Sequence, residues 1–307
     1  MDLIDSFLDS ASKAHGHEKK NIEWFLWKFK NNPFGESVVA CLEDKGNIVG
    51  CVAYGMQNFI NKDKQIKGAI SFETFVHPDY QGLGVFSKLL ILAEEEVKRR
   101  EVVFLLNFPN SNSLKGFLNK GWEKLDSTEY WIKVRNVFKI LLNIKQIRKP
   151  FIAAKSNFSD LIKPTLFEQN RANINLVSEI NLNYLIWRFY TFQITSYQSI
   201  STNEFDVMYR IGYRGNLKEV QVLFVNVKNE VNFKIAKLLR EINKKEKFDF
   251  ISFPISKNNF LRKKIKKKLF IKVPNKTNMC FKILNKNAIM KSDIENISIS
   301  AINYHTY

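Results

Sequence analysis

The chain has 307 residues, 45% hydrophobic and 13% aromatic. That is enough apolar material for two packed cores and too much for a disordered or low-complexity chain. Lys and Arg outnumber Asp and Glu by 48 to 30, with net +4 on residues 1–150 and net +14 on residues 151–307. A balanced front half and a basic back half suggest two units with different surfaces, the second attractive to polyanions. Three cysteines in a chain this long make no disulfide framework, and their spacing matches no zinc site; no metal is expected. Cys41 and Cys51 lie in apolar stretches and read as buried thiols. No run approaches the ~20 apolar residues of a membrane span. Met1–Lys20 has no apolar signal core. The expectation is a cytoplasmic protein.

In chain order, Glu18–Lys30 reads as a helix, with Ile22, Phe25, Leu26 and Phe29 at helical spacing and Trp24 and Trp27 widening the apolar face. Asn31, Asn32, Pro33 and Gly35 stop it. Ser37–Leu42 and Ile48–Met56 are strand-like and joined by the turn signal Asp44-Lys45-Gly46-Asn47, which predicts a hairpin. A polar loop at Lys62-Asp63-Lys64 precedes a strand over Gly68–Val76. Then come a loop with Pro78, Gly82 and Gly84, an amphipathic helix over Val85–Arg100 and a buried strand over Val102–Phe108. A short helix at Ser113–Lys120 ends at Gly121, and Glu129–Val134 is a further strand. This order predicts an α/β (α+β) layered fold with a mixed sheet flanked by helices.

The second half repeats part of the first. Asn21-Ile22-Glu23-Trp24-Phe25-Leu26-Trp27-Lys28-Phe29 aligns with Asn181-Leu182-Asn183-Tyr184-Leu185-Ile186-Trp187-Arg188-Phe189. Gly46-Asn47 has a counterpart in Gly215-Asn216, between the strand-like runs Phe205–Tyr213 and Glu219–Val227. Phe108-Pro109 is echoed by Phe253-Pro254. Three matches in one order point to two copies of one fold. The division expected is a first domain at 1–135, a connector at 136–159 and a second domain at 160–307.

The chemistry concentrates in Val76-His77-Pro78-Asp79-Tyr80-Gln81-Gly82-Leu83-Gly84-Val85-Phe86-Ser87. A strand enters a loop with two glycines, and the loop opens a helix. The first N–H groups of a helix lack internal partners and sit at the positive end of its dipole. Glycines let the backbone approach a ligand closely. Together these make a phosphate cradle. It is not a Walker loop, because no Gly-Lys-Ser/Thr follows, and it lacks the third glycine of a dinucleotide fingerprint.

Val76-x-Pro78-x-x-Gln81-Gly82-x-Gly84, followed by Asn110-x-x-Ser113, Phe117 and Gly121-Trp122, resembles the two ordered motifs of the GNAT family of N-acetyltransferases. The resemblance covers roughly residues 1–135. It implies a twisted mixed sheet whose central strands splay apart to admit acyl-CoA. The Phe75 and Val76 backbone would bond the pantetheine arm as an added strand. N–H groups from Gln81, Gly82, Leu83, Gly84, Val85, Phe86 and Ser87 would hold the pyrophosphate, with Asn110, Ser113 and Phe117 near the thioester. Two departures stand out. Phe86 replaces a small residue, so its ring must turn away from the ligand. Phe117 replaces a tyrosine able to protonate the leaving thiolate, a role left to water or Tyr130.

An acceptor amine must lose a proton before it attacks. Glu73, on the central strand between apolar neighbours, is the first candidate base, His77 the second and Tyr54 a weaker third. The bland alternatives are a salt-bridged Glu73 and a merely exposed His77. A backbone N–H on the splayed strand would serve the oxygen of the forming amide. The run Arg262-Lys263-Lys264-Ile265-Lys266-Lys267-Lys268 could contact nucleic acid or an anionic membrane, but a solvated helix face is the commoner outcome. Trp27-Lys28-Phe29 and Trp187-Arg188-Phe189 read first as core packing and second as an acceptor wall. Val225–Arg240 holds no counterpart of the glycine cradle, so the second copy is expected to be degenerate. The resulting expectation is acetyl transfer from acetyl-CoA to a small, anionic amine acceptor, with a nucleotide-linked amino sugar as best guess. A protein or peptide amine is the alternative enzyme reading. A CoA-sensing or nucleic-acid-binding adaptor is the non-enzyme reading. Oligomeric state is not encoded legibly.

Overall fold

The computed structural model describes residues 3–16, 18–126, 128–154, 169, 176–192, 197–228, 232–274 and 277–304. Helix α1 spans Leu3–His15. The sequence reading does not anticipate it, although Ile4, Phe7, Leu8 and Ala11 have helical spacing. Helix α2 starts at Ile22, later than the expected Glu18, because the Asn21 side chain accepts the Trp24 N–H at 3.0 Å and caps it. It runs as Ile22–Phe25 and then widens into a π-helical turn, Leu26–Lys30, closed by Asn31 N–H to the Leu26 carbonyl. The wider turn places three consecutive residues inside: Trp27, Lys28 and Phe29 are all buried.

Strands β1 (Val38–Asp44) and β2 (Asn47–Asn61) form the expected hairpin through Lys45 and Gly46, both at positive φ as a two-residue turn demands. Strand β3 (Lys64–Val76) pairs back on β2 through a second tight turn at Lys62 and Asp63. Both strands outrun their expected bounds, because the polar stretch at 62–64 is a turn and not a loop. Then follow α3 (Val85–Arg99), β4 (Phe104–Asn107), α4 (Ser111–Leu118), β5 (Glu123–Leu125) and β6 (Glu129–Val134). The connector carries α5 (Val137–Leu142) and β7 (Ile152–Ala153), and β8 is Leu176–Ser178.

The second half opens with α6 (Leu182–Ile186), capped by Asn181 as α2 is by Asn21. It runs into its own π-helical turn, Trp187–Thr191. Next come β9 (Tyr197–Ser201), β10 (Phe205–Arg214), β11 (Leu217–Val227), α7 (Ile235–Lys245) and β12 (Phe250–Ile255). The chain ends with α8 (Leu261–Lys266), β13 (Ile271–Val273), β14 (Met279–Ile283) and β15 (Ile297–Ser298). Element for element, β1–β6 with α3 and α4 correspond to β9–β14 with α7 and α8, so the architecture is a mixed α/β fold built twice.

The two sheets do not divide the chain at 135 and 159. The first has the order β15-β8-β2-β3-β4-β14-β5, with β1 on β2. The second has the order β13-β6-β12-β11-β10-β7, with β9 on β10. Thus β6 leaves the first half to lie between β12 and β13, and β14 returns to lie between β4 and β5. Each copy lends its last strand to the other. Buried carboxylates fasten both. Glu129 on β6 takes a bidentate Arg262 at 2.6 and 2.9 Å and Lys272 at 3.0 Å. Glu94 on α3 takes Lys282 of β14 at 2.7 Å and the Trp122 indole at 3.0 Å.

The copies also meet through their π-helical turns. Trp27 Nε1 donates to the Trp187 carbonyl at 2.7 Å and Trp187 Nε1 to the Trp27 carbonyl at 2.8 Å. The indoles stack at 5.4 Å. Such reciprocity is what a twofold-related pair produces, and it makes the repeated Trp-base-Phe segments the seam between the copies.

Candidate active site

Strands β3 and β4 run parallel but pair at three positions only, Gly68↔Phe104, Ala69↔Leu105 and Ile70↔Leu106. Beyond Ile70, the β4 side of β3 has no strand partner among the described residues. This is the splay that the motif implies. Val76 and Phe75 lie on that free edge, held from behind by Gly50 and Cys51 of β2. The Gln81 side-chain amide donates to the Val76 carbonyl at 3.1 Å, folding the loop back against the strand end.

Gly82 and Gly84 stand at φ +77° and +76°, where a side chain is strained, and a Cβ at either would meet open space. Gly84 caps α3 without any side-chain bond, and the first turn closes with Lys88 N–H to the Gly84 carbonyl at 3.1 Å. The N–H groups of Val85, Phe86 and Ser87 therefore face the open loop. Leu83 projects into solvent and Val85 is buried beneath the helix. The Phe86 ring turns onto Phe117 at 5.2 Å and Gly116, away from the loop. The site thus offers a free strand edge, an uncapped helix start and a glycine loop open to solvent.

Asn110 caps α4: its side-chain oxygen accepts from the N–H groups of Asn112 and Ser113 and from Ser113 Oγ. These bonds fix the loop after β4 at the mouth of the splay. Phe117 packs between Phe86 and Trp122 and is fully buried, so it shapes the wall. Tyr130, weighed as a proton donor, lies in the second sheet. It bonds Glu219, Ser252 and Arg214 there, because β6 has crossed over. Tyr54 is buried under α3, its phenol pushed well up by that burial. Cys41 is exposed, not buried, because β1 is an edge strand; its cross-strand neighbour Cys51 is buried.

Glu73 sits at φ +44°, a conformation that costs an L-residue about 1–2 kcal/mol. The register slips here: Cys51 pairs with Phe75 and Ala53 with Phe72, so Glu73 and Thr74 share one opposing residue. This β-bulge turns Glu73 onto the same face as Phe72. Glu73 Oε1 accepts from Lys28 Nζ at 2.8 Å, and Oε2 lies 3.3 Å from His15 Nε2. Lys28 is 5% exposed, with its ammonium over the Trp24 and Phe72 rings at 4.8 and 5.1 Å. Burial drives the Lys28 pKa down, the Glu73 charge opposes that, and Arg188 adds to the lowering. The sequence reading missed both partners. Lys28 is turned inward only by the π-helical turn, and His15 lies on the unanticipated α1. His77, in contrast, is half-buried, and its Nδ1 accepts the local Asp79 N–H.

The second copy splays likewise, with β11 and β12 paired only at Glu219↔Phe250, Val220↔Ile251 and Gln221↔Ser252. Its gap is closed by the chain's own C-terminal segment. Ser300 bridges to Ile255, and Ser256 N–H donates to the Ile299 carbonyl at 2.9 Å. The void left beside Val222–Val227 is about 50 Å³, against the several hundred a cofactor-sized ligand needs. Most of Arg262–Lys268 is a solvated face, and Arg262 is bound to Glu129.

Comparison with known proteins agrees with this geometry. Residues 1–119 match the acetyltransferase (GNAT) family. An uncharacterized N-acetyltransferase of Methanocaldococcus jannaschii is 29% identical over 142 residues, 43% of this chain. The match spans 62% of that relative's length. Among solved structures, a GCN5-related N-acetyltransferase of Anabaena variabilis superposes with TM-score 0.61 at 10% identity, covering 92% of this chain and 70% of its own. Saccharomyces cerevisiae N-myristoyltransferase with bound myristoyl-CoA gives 0.56 at 11%, covering 91% and 78%. Eis1 of Mycobacterium abscessus gives 0.60 at 9%, covering 92% and 71%. At these identities the structural likenesses speak for the fold. No helix among the described residues is long and apolar enough to cross a membrane. Motif, fold and family match converge on residues 1–119, the segment of this chain that is similar to the GNAT acetyltransferase family.

Proposed function

We propose that this protein is a cytoplasmic acyltransferase that moves an acetyl group from acetyl-CoA to the amine of a small anionic acceptor. The observation that carries the reading is the splay of β3 from β4 beside an open glycine loop and an uncapped helix start, all in one copy. Acyl-CoA would lie along the Phe75–Val76 edge, with its pyrophosphate on the N–H groups from Gln81 to Ser87 and its thioester near Asn110 and Ser113. The amine nitrogen attacks the thioester carbonyl, the C–S bond breaks, and the amine proton passes to Glu73 directly or through water. His15, one-third exposed and 3.3 Å from Glu73, is the exit for that proton to solvent. With Phe117 unable to donate, solvent protonates the leaving thiolate.

Support for an anionic acceptor is the pair of buried bases, Lys28 and Arg188, that the two π-helical turns bring to the seam beside Glu73. A nucleotide-linked amino sugar combines the required amine with phosphate charge. The second copy, its own gap filled, would serve as the far wall of the acceptor cleft. The test is turnover of acetyl-CoA across a panel of amino-sugar nucleotides, free amino sugars and lysine peptides. Preference for the nucleotides supports the reading; preference for peptides replaces it. Acetyl-CoA binding without turnover of any acceptor favours an adaptor.

A further inference from the structure

The connector has a surface that the acyltransferase reading does not use. From Tyr130 to Ser159 the sequence contains seven Lys and Arg and no Asp or Glu. Within it, α5 is anchored by one side only. Ile140 and Ile147 are buried, and Lys139 bonds Asp249 at 2.7 Å. The Asn136 side chain caps the helix by accepting the Lys139 N–H. The opposite side carries Val137, Phe138, Leu141, Leu142 and Ile144 into solvent, with Phe138 83% and Leu142 85% exposed. Arg135, Lys145, Arg148 and Lys149 surround this knob, all exposed.

The basic surface continues past the helix. Arg135 donates to the Glu246 carbonyl at the end of α7. Lys133, two residues earlier, donates to the Lys268 carbonyl. Lys133, Arg240, Lys244 and Lys268 line a shallow groove of about 450 Å³ that contains no carboxylate. An apolar knob ringed by bases, beside a cationic groove, matches an interface with acyl chains beneath and negative headgroups around.

We infer that this protein docks on an anionic lipid surface through α5, with Phe138, Leu141 and Leu142 entering the acyl boundary and Arg135, Lys145, Arg148 and Lys149 contacting headgroups. Charge complementarity selects lipid over a second copy, because two such basic faces repel. Ile140 of α5 packs with Tyr130, Ile132, Leu217 and Phe250 of the second sheet, whereas the proposed acyl-CoA site lies on β3 and β4 of the first.

The experiment is flotation of the full chain with phosphatidylcholine vesicles containing about 30% phosphatidylserine, against pure phosphatidylcholine. Binding is expected on the anionic vesicles and is expected to fall as salt rises from about 0.1 to 0.5 M. Phe138→Asp with Leu142→Asp should weaken it at least about tenfold. Lys145→Gln, Arg148→Gln and Lys149→Gln together should weaken it about a hundredfold, at roughly fivefold per base. Ile91→Asp with Leu92→Asp, an exposed apolar pair beside Glu94 and Glu95 on α3, should bind as the wild type does. No binding by folded wild type, or equal binding to neutral vesicles, overturns the inference. A dimer in solution that the Phe138 and Leu142 substitutions dissociate also overturns it and makes the knob a self-association face.

Discussion

Replacing Glu73 by Gln separates its ion pair with Lys28 from the proposed role as base. At 2.8 Å the pair with Lys28 has a gross attraction of about 6 kcal/mol at an effective dielectric of ~20. Buried pairs broken from one side cost about 3–5 kcal/mol. A ceiling follows from Lys28 itself, which can escape by shedding its proton. From the ordinary 10.5 to pH 7 that costs about 5 kcal/mol, and at pH 9 only about 2 kcal/mol. Glu73→Gln should therefore destabilise by about 3 kcal/mol at pH 7, and the loss should shrink as pH rises toward 9. The sign is fixed by linkage: with Lys28 neutral in the folded variant, the unfolded chain binds the extra proton, so raising pH favours folding. Adding Lys28→Met should restore most of the stability, because no charge is then stranded. Urea titrations at pH 7 and 9 measure both, and turnover is assayed in parallel. If Glu73 also receives the acceptor's proton, the restored double variant binds acetyl-CoA normally and turns over at least about a hundredfold more slowly. A double variant with wild-type turnover would show that Glu73 is an ion-pair partner only. A single variant as stable as wild type would refute the energetic argument.

Three further outcomes follow from the packing. The Arg262 bonds, aided by Lys272 and Trp131, pull Glu129 down to about 2. Its contribution, about 3 kcal/mol, is therefore full above about pH 5 and lost as pH falls toward 2, and a urea midpoint that drops more steeply with acid in wild type than in Glu129→Gln checks this. Trp27→Phe removes the donor from the buried Trp187 carbonyl and should cost about 1–3 kcal/mol by chemical denaturation. Gly68→Ala would place a Cβ 2.5 Å from the Phe59 ring beside the start of the splay, and should cost about 1–3 kcal/mol in the same assay.

The local parts of this protein are legible because local chemistry sets them. Lys45-Gly46 must turn, Asn21 and Asn181 must cap, and Gly82 and Gly84 must take positive φ before a helix. The long-range parts are not. Nothing in Glu129–Val134 or Met279–Ile283 states which sheet each enters, since strand order depends on tertiary pairing. The exchange therefore moved Tyr130 out of the first copy. The partners of Glu73 are not legible for a related reason. Its partners come from a bulge, a π-helical turn and α1, none of which periodicity at 3.6 or 2 residues announces. The repeat, by contrast, shows in sequence at the segment where the two copies touch, because Trp27 and Trp187 make the same bond to each other.

The most direct measurement is calorimetric binding of acetyl-CoA to the wild type and to Gly84→Glu. Gly84 is exposed and a Cβ there meets nothing within 4 Å, so the fold should tolerate the change apart from the cost of a side chain at φ +76°. The new carboxylate would stand before the N–H groups of Val85 to Ser87 and repel a pyrophosphate. Binding by the wild type and its loss in a folded Gly84→Glu variant is the result expected. Undiminished binding in the variant, or none in folded wild type, would contradict the placement of the acyl-CoA site in the first copy.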